Sequence, residues 1–235
     1  LTFRNPDIIG LQEVTEASWC VLQDKLSTEG FAHNIYSRHL IPSSRKLKAV
    51  AIFSRWPLVV LEGHFKVPYP ELTLSIKLQT PSRSMEFHCV HIPNGSAHKW
   101  EKIDSFEAIY SKLAHATTVP RILCGDFNSP KEELENGNII PWRPGNSRWA
   151  NGELSVISGL AQFNLKDVYR ELNGYPPQDF SWYSRPHIGR RFDHVFASDD
   201  LSAIECKYVH EWRIKKLSDH SAIEVIFLPK AAKQD

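Results

Sequence analysis

The sequence predicts an α+β fold, packed sheets with helices outside, on two observations. Short runs rich in β-branched and aromatic residues, bordered by turn residues, recur along the chain. Helical periodicity appears in only a few longer stretches, and strands precede and follow these without strict alternation. In chain order, the first strand is expected at Ile8–Leu11, and Thr15 is placed to cap a helix over Ala17–Leu26. Strands follow at Ala49–Phe53, Leu72–Leu78 and Glu86–His91. Stronger helical periodicity covers Trp100–Leu113, where Ile103, Phe106, Ile109, Tyr110 and Leu113 line one face. Arg121–Cys124 reads as a buried strand ending in glycine. The Pro-, Gly- and Asn-rich stretch Glu133–Trp149 predicts a long surface excursion, and a third helix is expected over Gly152–Phe163. Strands at Phe192–Ala197 and Ala222–Phe227 complete the pattern, and the polar tail after Pro229 is expected to fray.

Composition narrows the class. The chain has 235 residues, 42% of them hydrophobic and 23% charged, values ordinary for a water-soluble globular domain. Seven Trp and twelve Phe supply large, stiff side chains for a core. No apolar run approaches the roughly 20 residues that cross a bilayer, so no membrane association is expected, and Leu1-Thr2-Phe3-Arg4 does not read as a signal peptide. Cys20, Cys89, Cys124 and Cys206 show no metal or redox spacing, so they are expected to be reduced core residues of an intracellular, cytoplasmic protein. The formal net charge of +1 neither requires nor excludes a nucleic-acid substrate.

Four segments carry chemistry: Leu11-Gln12-Glu13-Val14, Gly125-Asp126-Phe127-Asn128, Arg191-Phe192-Asp193-His194 and Ser218-Asp219-His220. Each puts a carboxylate at or beside the end of an apolar, strand-like run, where open-sheet enzymes bind ligands. An oxygen cluster containing Glu13 would suit Mg²⁺, although an acid ahead of a helix is also what the helix dipole favours. Asp126 and Asn128, alternate residues of an extended segment, share a face. Together they could orient a water and hold a phosphate oxygen, or they could form an Asx-turn. Asp193 and His220 read as an orienting pair, the carboxylate fixing the imidazole tautomer and favouring its charged form. Asp219 beside them is a candidate metal ligand. His91 could donate to phosphate, and Asn94 with Gly95 offers donors suited to an anion or a simple turn. Arg185-Pro186-His187-Ile188-Gly189-Arg190-Arg191, beside Phe180, Trp182 and Tyr183, interleaves cations with aromatics as a base-stacking surface requires; a solvated hairpin tip would look the same. Ser43-Ser44-Arg45-Lys46-Leu47-Lys48 reads as a basic surface loop. The residues alone thus suggest a metal-dependent phosphodiester-cleaving enzyme.

From Pro6 to about Leu228 these segments resemble the endonuclease/exonuclease/phosphatase superfamily, and within it the exonuclease III-like AP endonucleases. Glu13 is similar to the family's metal-binding glutamate, Ala51-Ile52-Phe53-Ser54-Arg55-Trp56-Pro57 to its following strand, and Ile92-Pro93-Asn94-Gly95 to the phosphate-contacting segment. Gly125-Asp126-Phe127-Asn128, Phe180-Ser181-Trp182, Arg191-Phe192-Asp193 and Ser218-Asp219-His220 match the later motifs. The resemblance implies a four-layer α/β sandwich of two packed, mostly antiparallel sheets flanked by helices, as one catalytic domain over 1–229 with a polar tail at 230–235. It implies a Mg²⁺-dependent hydrolase, Mn²⁺ being the alternative ion, acting on DNA in repair as an AP endonuclease or 3′–5′ exonuclease. A monomer is expected.

The roles implied are Asp126, Asn128, Asp193, His220 and His91 in catalysis, Glu13 and Asp219 at the metal, and Asn94, Trp182, Arg190 and Arg191 at the substrate. The sequence departs from the pattern in three places. The family's first strand, bearing an Asn, has no counterpart ahead of Pro6; His91 stands where this branch usually has Tyr; and Arg190 stands where it usually has an aromatic. Two other readings stay open. One keeps the chemistry on a lipid, nucleotide or protein–DNA adduct substrate, and the other is a truncated relative that binds nucleic acid without cutting it.

Overall fold

A six-stranded sheet forms the middle of the molecule in a computed structural model that describes residues 4–44, 46–176, 178–184 and 188–228. Its order is Lys166–Asp167, Asp193–Ala197, Arg121–Asp126, Ser84–His91, Thr73–Gln79 and Leu58–Val60. Neighbours are antiparallel except Ser84–His91 and Arg121–Asp126, which run parallel. A parallel pair needs a crossover, and the helix Trp100–Leu113 supplies it with the predicted bounds. A three-stranded sheet in the order Ile8–Val14, Ala49–Ser54, His33–Tyr36 and a two-stranded sheet of Ala203–Val209 with Ala222–Phe227 complete the main framework.

Alternating side chains sort the core into layers. Val50 and Ile52 point into the layer between sheets, with Ile76, Phe87, Cys89, Val195 and Tyr208. Ala49, Ala51 and Phe53 of the same strand point the other way, onto Trp19 and Leu26 of the helix Glu16–Thr28. On the far side of the six-stranded sheet, Val90, Leu123 and Phe196 pack under Ile103, Phe106 and Ile109 of the crossover helix and Trp149 of the helix Ser147–Ile157. The outcome is helix, sheet, sheet, helix, as expected of the four-layer sandwich.

Several boundaries shift for identifiable reasons. The first helix starts at Glu16, and Thr15 caps it reciprocally with Ser18, a device worth about 1 kcal/mol. The expected helix over Gly152–Phe163 instead begins at Ser147, inside the stretch read as a surface excursion, because Asn146 Oδ1 caps Trp149 N at 3.0 Å. It gives way after Ile157 to a 3₁₀ turn over Gly159–Phe163. Leu72 closes a 3₁₀ turn instead of opening a strand. All four cysteines are free; Cys20 is exposed, while the others are in the core. Among the described residues no helix is long and apolar enough to cross a membrane. Residues 229–235, on which the tail expectation falls, lie outside those described.

Gly125 is required by close approach. It sits at φ +139° beside Val90 on the parallel neighbour, and a Cβ there would meet the Val90 carbonyl oxygen at 1.9 Å. Gly125→Ala is therefore expected to cost at least ~2–3 kcal/mol. Urea unfolding with a midpoint like wild type would contradict this.

Candidate active site

Strand register gathers the chemistry. In the six-stranded sheet His91 is the Cα partner of Asp126 on one side, and Asp193 is its partner on the other. Three polar side chains from three neighbouring inner strands therefore meet where those strands end. The strand predicted to stop at Cys124 continues to Asp126, so the carboxylate belongs to a ladder residue that also accepts the Asx-turn bond from Asn128 N.

Asp126 is buried, and Asn128 serves it. The Asn128 backbone N–H donates to Oδ1 at 2.8 Å and its Nδ2 to Oδ2 at 3.2 Å. Asn128 Nδ2 also donates to the Ile92 carbonyl at 3.0 Å, tying the loop to the next strand. Asn128 holds φ +48°, a left-handed conformation unusual for a residue with a side chain. Its carbonyl is held by Lys102 Nζ at 2.8 Å and Trp142 Nε1 at 3.0 Å. Lys102 in turn pairs with the buried Glu153 at 2.8 Å, and Glu153 accepts from Trp142 N and Trp149 Nε1. These residues escaped sequence reading because the stretch around Trp142 looked like loose surface. The available signal was Trp149 and Glu153 one helical turn apart, between apolar residues.

His220 Nδ1 lies 2.7 Å from Asp193 Oδ2, the orienting pair expected. Burial pulls the His220 imidazole down, but the hydrogen bond and charge of Asp193 outweigh it and raise the ring to about 9. Burial, then the charge of Asp193, pushes the Asp126 carboxyl up to about 8. Burial lowers His91, whose Nε2 stands 3.6 Å from Asp126 Oδ2 and whose Nδ1 is buried without a hydrogen-bond partner. Ser181 braces the pair: its hydroxyl accepts from Phe192 N and Asp193 N, and its carbonyl accepts from Ser221 N. Tyr208 donates to the Asp193 carbonyl at 2.5 Å.

Glu13 sits at φ +58° in a register shift between Leu11 and Val14. Its half-exposed carboxylate pairs with Lys48 from the loop read as basic surface, and its charge is felt at both His91 and Asp126. Asp219 is exposed beside His220, on which its charge acts. Asn94 is exposed and caps the short helix Gly95–His98, its Oδ1 accepting from Ser96 N at 2.8 Å. Trp182 stacks on Phe192 at 5.4 Å and lies 6.3 Å from the His220 ring. The Arg190 guanidinium lies 5.9 Å from the Trp142 ring, itself 39% exposed, so Trp142 joins this rim although sequence reasoning did not name it.

Arg191 corrects the expectation placed on it. Its guanidinium is buried, donating to Glu133 Oε1 and Oε2 at 2.6 Å and to Asp167 Oδ2 at 2.6 Å. Arg170 also donates to Glu133, and His194 Nδ1 meets Asp167 at 3.1 Å. Alternation explains the outcome: one residue earlier, Arg190 ends the hairpin Trp182–Ser184/Ile188–Arg190, while Arg191 turns inward. Arg191 thus anchors the site from behind and does not face a substrate. Residues 185–187 of the same loop lie outside those described.

One carboxylate oxygen of Asp126, one of Asp193 and one ring nitrogen of His220 all lie within 4.8 Å of one another. Two buried carboxylates against one imidazolium leave a shortage of positive charge, which the raised Asp126 carboxyl registers. Glu13 and Asp219, the expected metal ligands, are not in this group, but their charges act on Asp126 and His220, and a shortage of positive charge among oxygen donors fits a divalent cation such as Mg²⁺.

Comparison with known proteins gives a consistent family. Residues 2–220 match the model of the Endonuclease/Exonuclease/phosphatase family. The chain is 24% identical over 242 residues to exodeoxyribonuclease III of Haemophilus influenzae, covering 93% of this chain and 88% of that protein. Its fold is similar to that of an AP endonuclease from Archaeoglobus fulgidus, with a TM-score of 0.73 at 19% identity over 97% of this chain and 91% of that one. D. rerio TDP2 complexed with single strand DNA product gives a TM-score of 0.68 at 14% identity over 97% and 88%.

The Arg191 cluster has a pH signature. Burial raises Glu133 and Asp167, but Arg191 more than offsets it and both carboxyls are held below the usual range. Their contribution to stability is therefore complete above the unfolded values, roughly pH 4–4.5. It is lost as pH falls through the lower folded values. Arg191→Met is expected to cost ~3–5 kcal/mol near neutrality, by taking from Glu133 and Asp167 the buried cation they share. It should also flatten this acid limb in urea titrations from pH 7 to 3; an unchanged limb would contradict the assignment.

Proposed function

The chain belongs to the endonuclease/exonuclease/phosphatase family, and from that premise we propose that it is a divalent-metal-dependent hydrolase of DNA phosphodiester bonds. By type it is an AP endonuclease or a 3′–5′ exonuclease, with a role in repair. The observation that carries this reading is the convergence of Asp126, Asp193 and His220 within 4.8 Å, with Asn128 and His91 beside them. The printed names of the relatives, an exodeoxyribonuclease and an AP endonuclease, support DNA as the substrate.

Glu13 and Asp219 would hold Mg²⁺, or Mn²⁺ in its place, and such an ion would supply positive charge to offset the phosphate, keep Asp126 ionised and stabilise the departing oxygen. Asp126 orients the attacking water. As the water oxygen bonds to phosphorus, its proton passes to an Asp126 carboxylate oxygen and the bond to the sugar oxygen breaks. Asn94 steadies the phosphate through its amide donor, while Asn128, whose Nδ2 donates to Ile92 and Asp126, holds the Asp126 carboxylate in place beside it. His220, kept protonated by Asp193, donates to a non-bridging oxygen as charge develops there, and His91 adds a second donor. Trp182 and Trp142 offer faces on which bases stack, and Arg190 brings a cation toward the backbone.

Three substrates separate this reading from its neighbours: an abasic duplex, an undamaged duplex and small phosphodiesters, each with Mg²⁺ or with chelator. Cleavage of the duplexes, abolished by chelator and weakened steeply by salt, is expected. Turnover of the small esters alone would move the substrate class, and no turnover of any would leave a non-catalytic binder. Asp126→Asn and His220→Ala should each lower cleavage ~10²–10⁴-fold with an unchanged circular dichroism spectrum. Near-normal Mg²⁺-dependent cleavage by Asp126→Asn rejects the assignment.

The pH profile tests His220 separately. Activity that requires protonated His220 persists below the ring's pKa and falls above it, so the alkaline limb lies toward about 9. Asp193→Asn removes the partner that raises the ring, and the limb of its residual activity should move down. A limb that stays in place would show that another group titrates.

A further inference from the structure

Away from the catalytic centre the described residues hold two more clusters of ligand-type side chains, Glu133–Asp167–His194 and His64–Glu86–His88. The first is filled by the guanidiniums of Arg170 and Arg191. The second is not filled. His88 is fully buried, and its Nδ1 is engaged by the Ser75 hydroxyl at 2.9 Å, leaving Nε2 buried and without a hydrogen-bond partner. His64 Nε2 is buried and unpartnered as well. The two rings stack with centroids 4.8 Å apart at 22°, and Glu86 Oε2 stands 3.5 Å from His88 Nε2. One ligand atom from each of the three residues falls within 4.8 Å of the others.

We propose that His64, Glu86 and His88 form a second cation site, suited to a borderline divalent ion such as Zn²⁺ rather than to a hard ion. Two imidazoles and one carboxylate are a zinc-type donor set. Two buried ring nitrogens, one unpartnered and the other meeting only the Glu86 carboxylate at 3.5 Å, are otherwise costly to keep. The Ser75 contact is the kind of support a metal-binding histidine takes from its other ring nitrogen, since the hydroxyl can accept from Nδ1–H when Nε2 is the ligand. Burial lowers His88, and burial together with the neighbouring His88 lowers His64 to about 4, so both rings are neutral near pH 7, as ligation requires. Of the other cationic groups that act here, Arg121 is turned to the carbonyls of Leu113, His115 and Phe163. Lys112 and His115, which also act on His64, are exposed. Glu86 and His88 lie on the opposite face of their strand from His91, so the two centres are separate. An ion there would pin the segment around His64 to the central sheet and leave one coordination position open.

The test uses the full chain, stripped with chelator and titrated with Zn²⁺ alone, bound metal being counted by equilibrium dialysis. Wild type, His64→Gln and His220→Gln are compared, because zinc could also enter the catalytic carboxylates. His64 is half-buried on a loop, so its replacement leaves the core intact. One equivalent should be retained by His220→Gln and lost, or weakened by more than ~10-fold, in His64→Gln. Ring ¹⁵N spectra should show zinc shifting Nε2 of His64 and His88 while Nδ1 of His88 keeps its proton. Equal zinc stoichiometry and affinity in wild type and His64→Gln, or no bound zinc that survives His220→Gln, overturns the proposal.

Discussion

The register of the strand Arg121–Asp126 between its two neighbours is the constraint on which the site depends. It is parallel to Ser84–His91 on one side and antiparallel to Asp193–Ala197 on the other, so the last residue of one strand faces the first of the next. Asp126 and Asp193 are thereby forced together in a buried place, an arrangement that self-repulsion and desolvation both oppose. The sheet can hold them because ladder hydrogen bonds on both sides fix the backbone, and because His220 and Asn128 satisfy the carboxylate oxygens directly. Gly125 allows the two parallel strands to close at this point, where any side chain would strike the Val90 carbonyl.

Around that register lie two buried ionic clamps. Arg191 and Arg170 gather Glu133 and Asp167, and His194 joins the cluster to Ser129 just beyond Asn128. Lys102 and Glu153 grip the same loop from the helical layer through the Asn128 carbonyl and Trp142. Removing one partner from such a cluster leaves an uncompensated buried charge, so these residues resist change as strongly as the site they surround. Two residues of the site, Glu13 and Asn128, sit at positive φ. That strain persists only because the surrounding contacts over-determine the backbone.

The strand Ser84–His91 carries two polar centres on opposite faces. His91 turns toward the carboxylates of its neighbours, where oxygen donors dominate. Glu86 and His88 turn to the helical side, where imidazole nitrogens dominate and the catalytic carboxylates do not reach. Alternation of side chains along one extended segment is sufficient to produce two donor sets of different hardness within a few residues.

Local signals carried much of this protein into the sequence reading. The helix Trp100–Leu113 was readable because its apolar period is sustained over several turns, and Thr15 because a cap is a local hydrogen-bond device. The four acidic segments were recognisable because each ends or borders an apolar run, and their resemblance to one family rested on their order. Weakly patterned or short strands such as Ala203–Val209 and Leu58–Val60 were not readable, since tertiary packing and not periodicity decides them. Nor could sequence separate Arg190 from Arg191, neighbouring cations of which one lies half-buried near Trp142 and the other is buried among carboxylates. What sequence determined by itself was which residues carry charge and which of them lie at or near the ends of apolar strand-like runs. Only the tertiary structure decided which charges meet, because partners such as Arg191 and Glu133, or His64 and His88, are joined by sheet register and layer packing across spans of chain that no local pattern encodes.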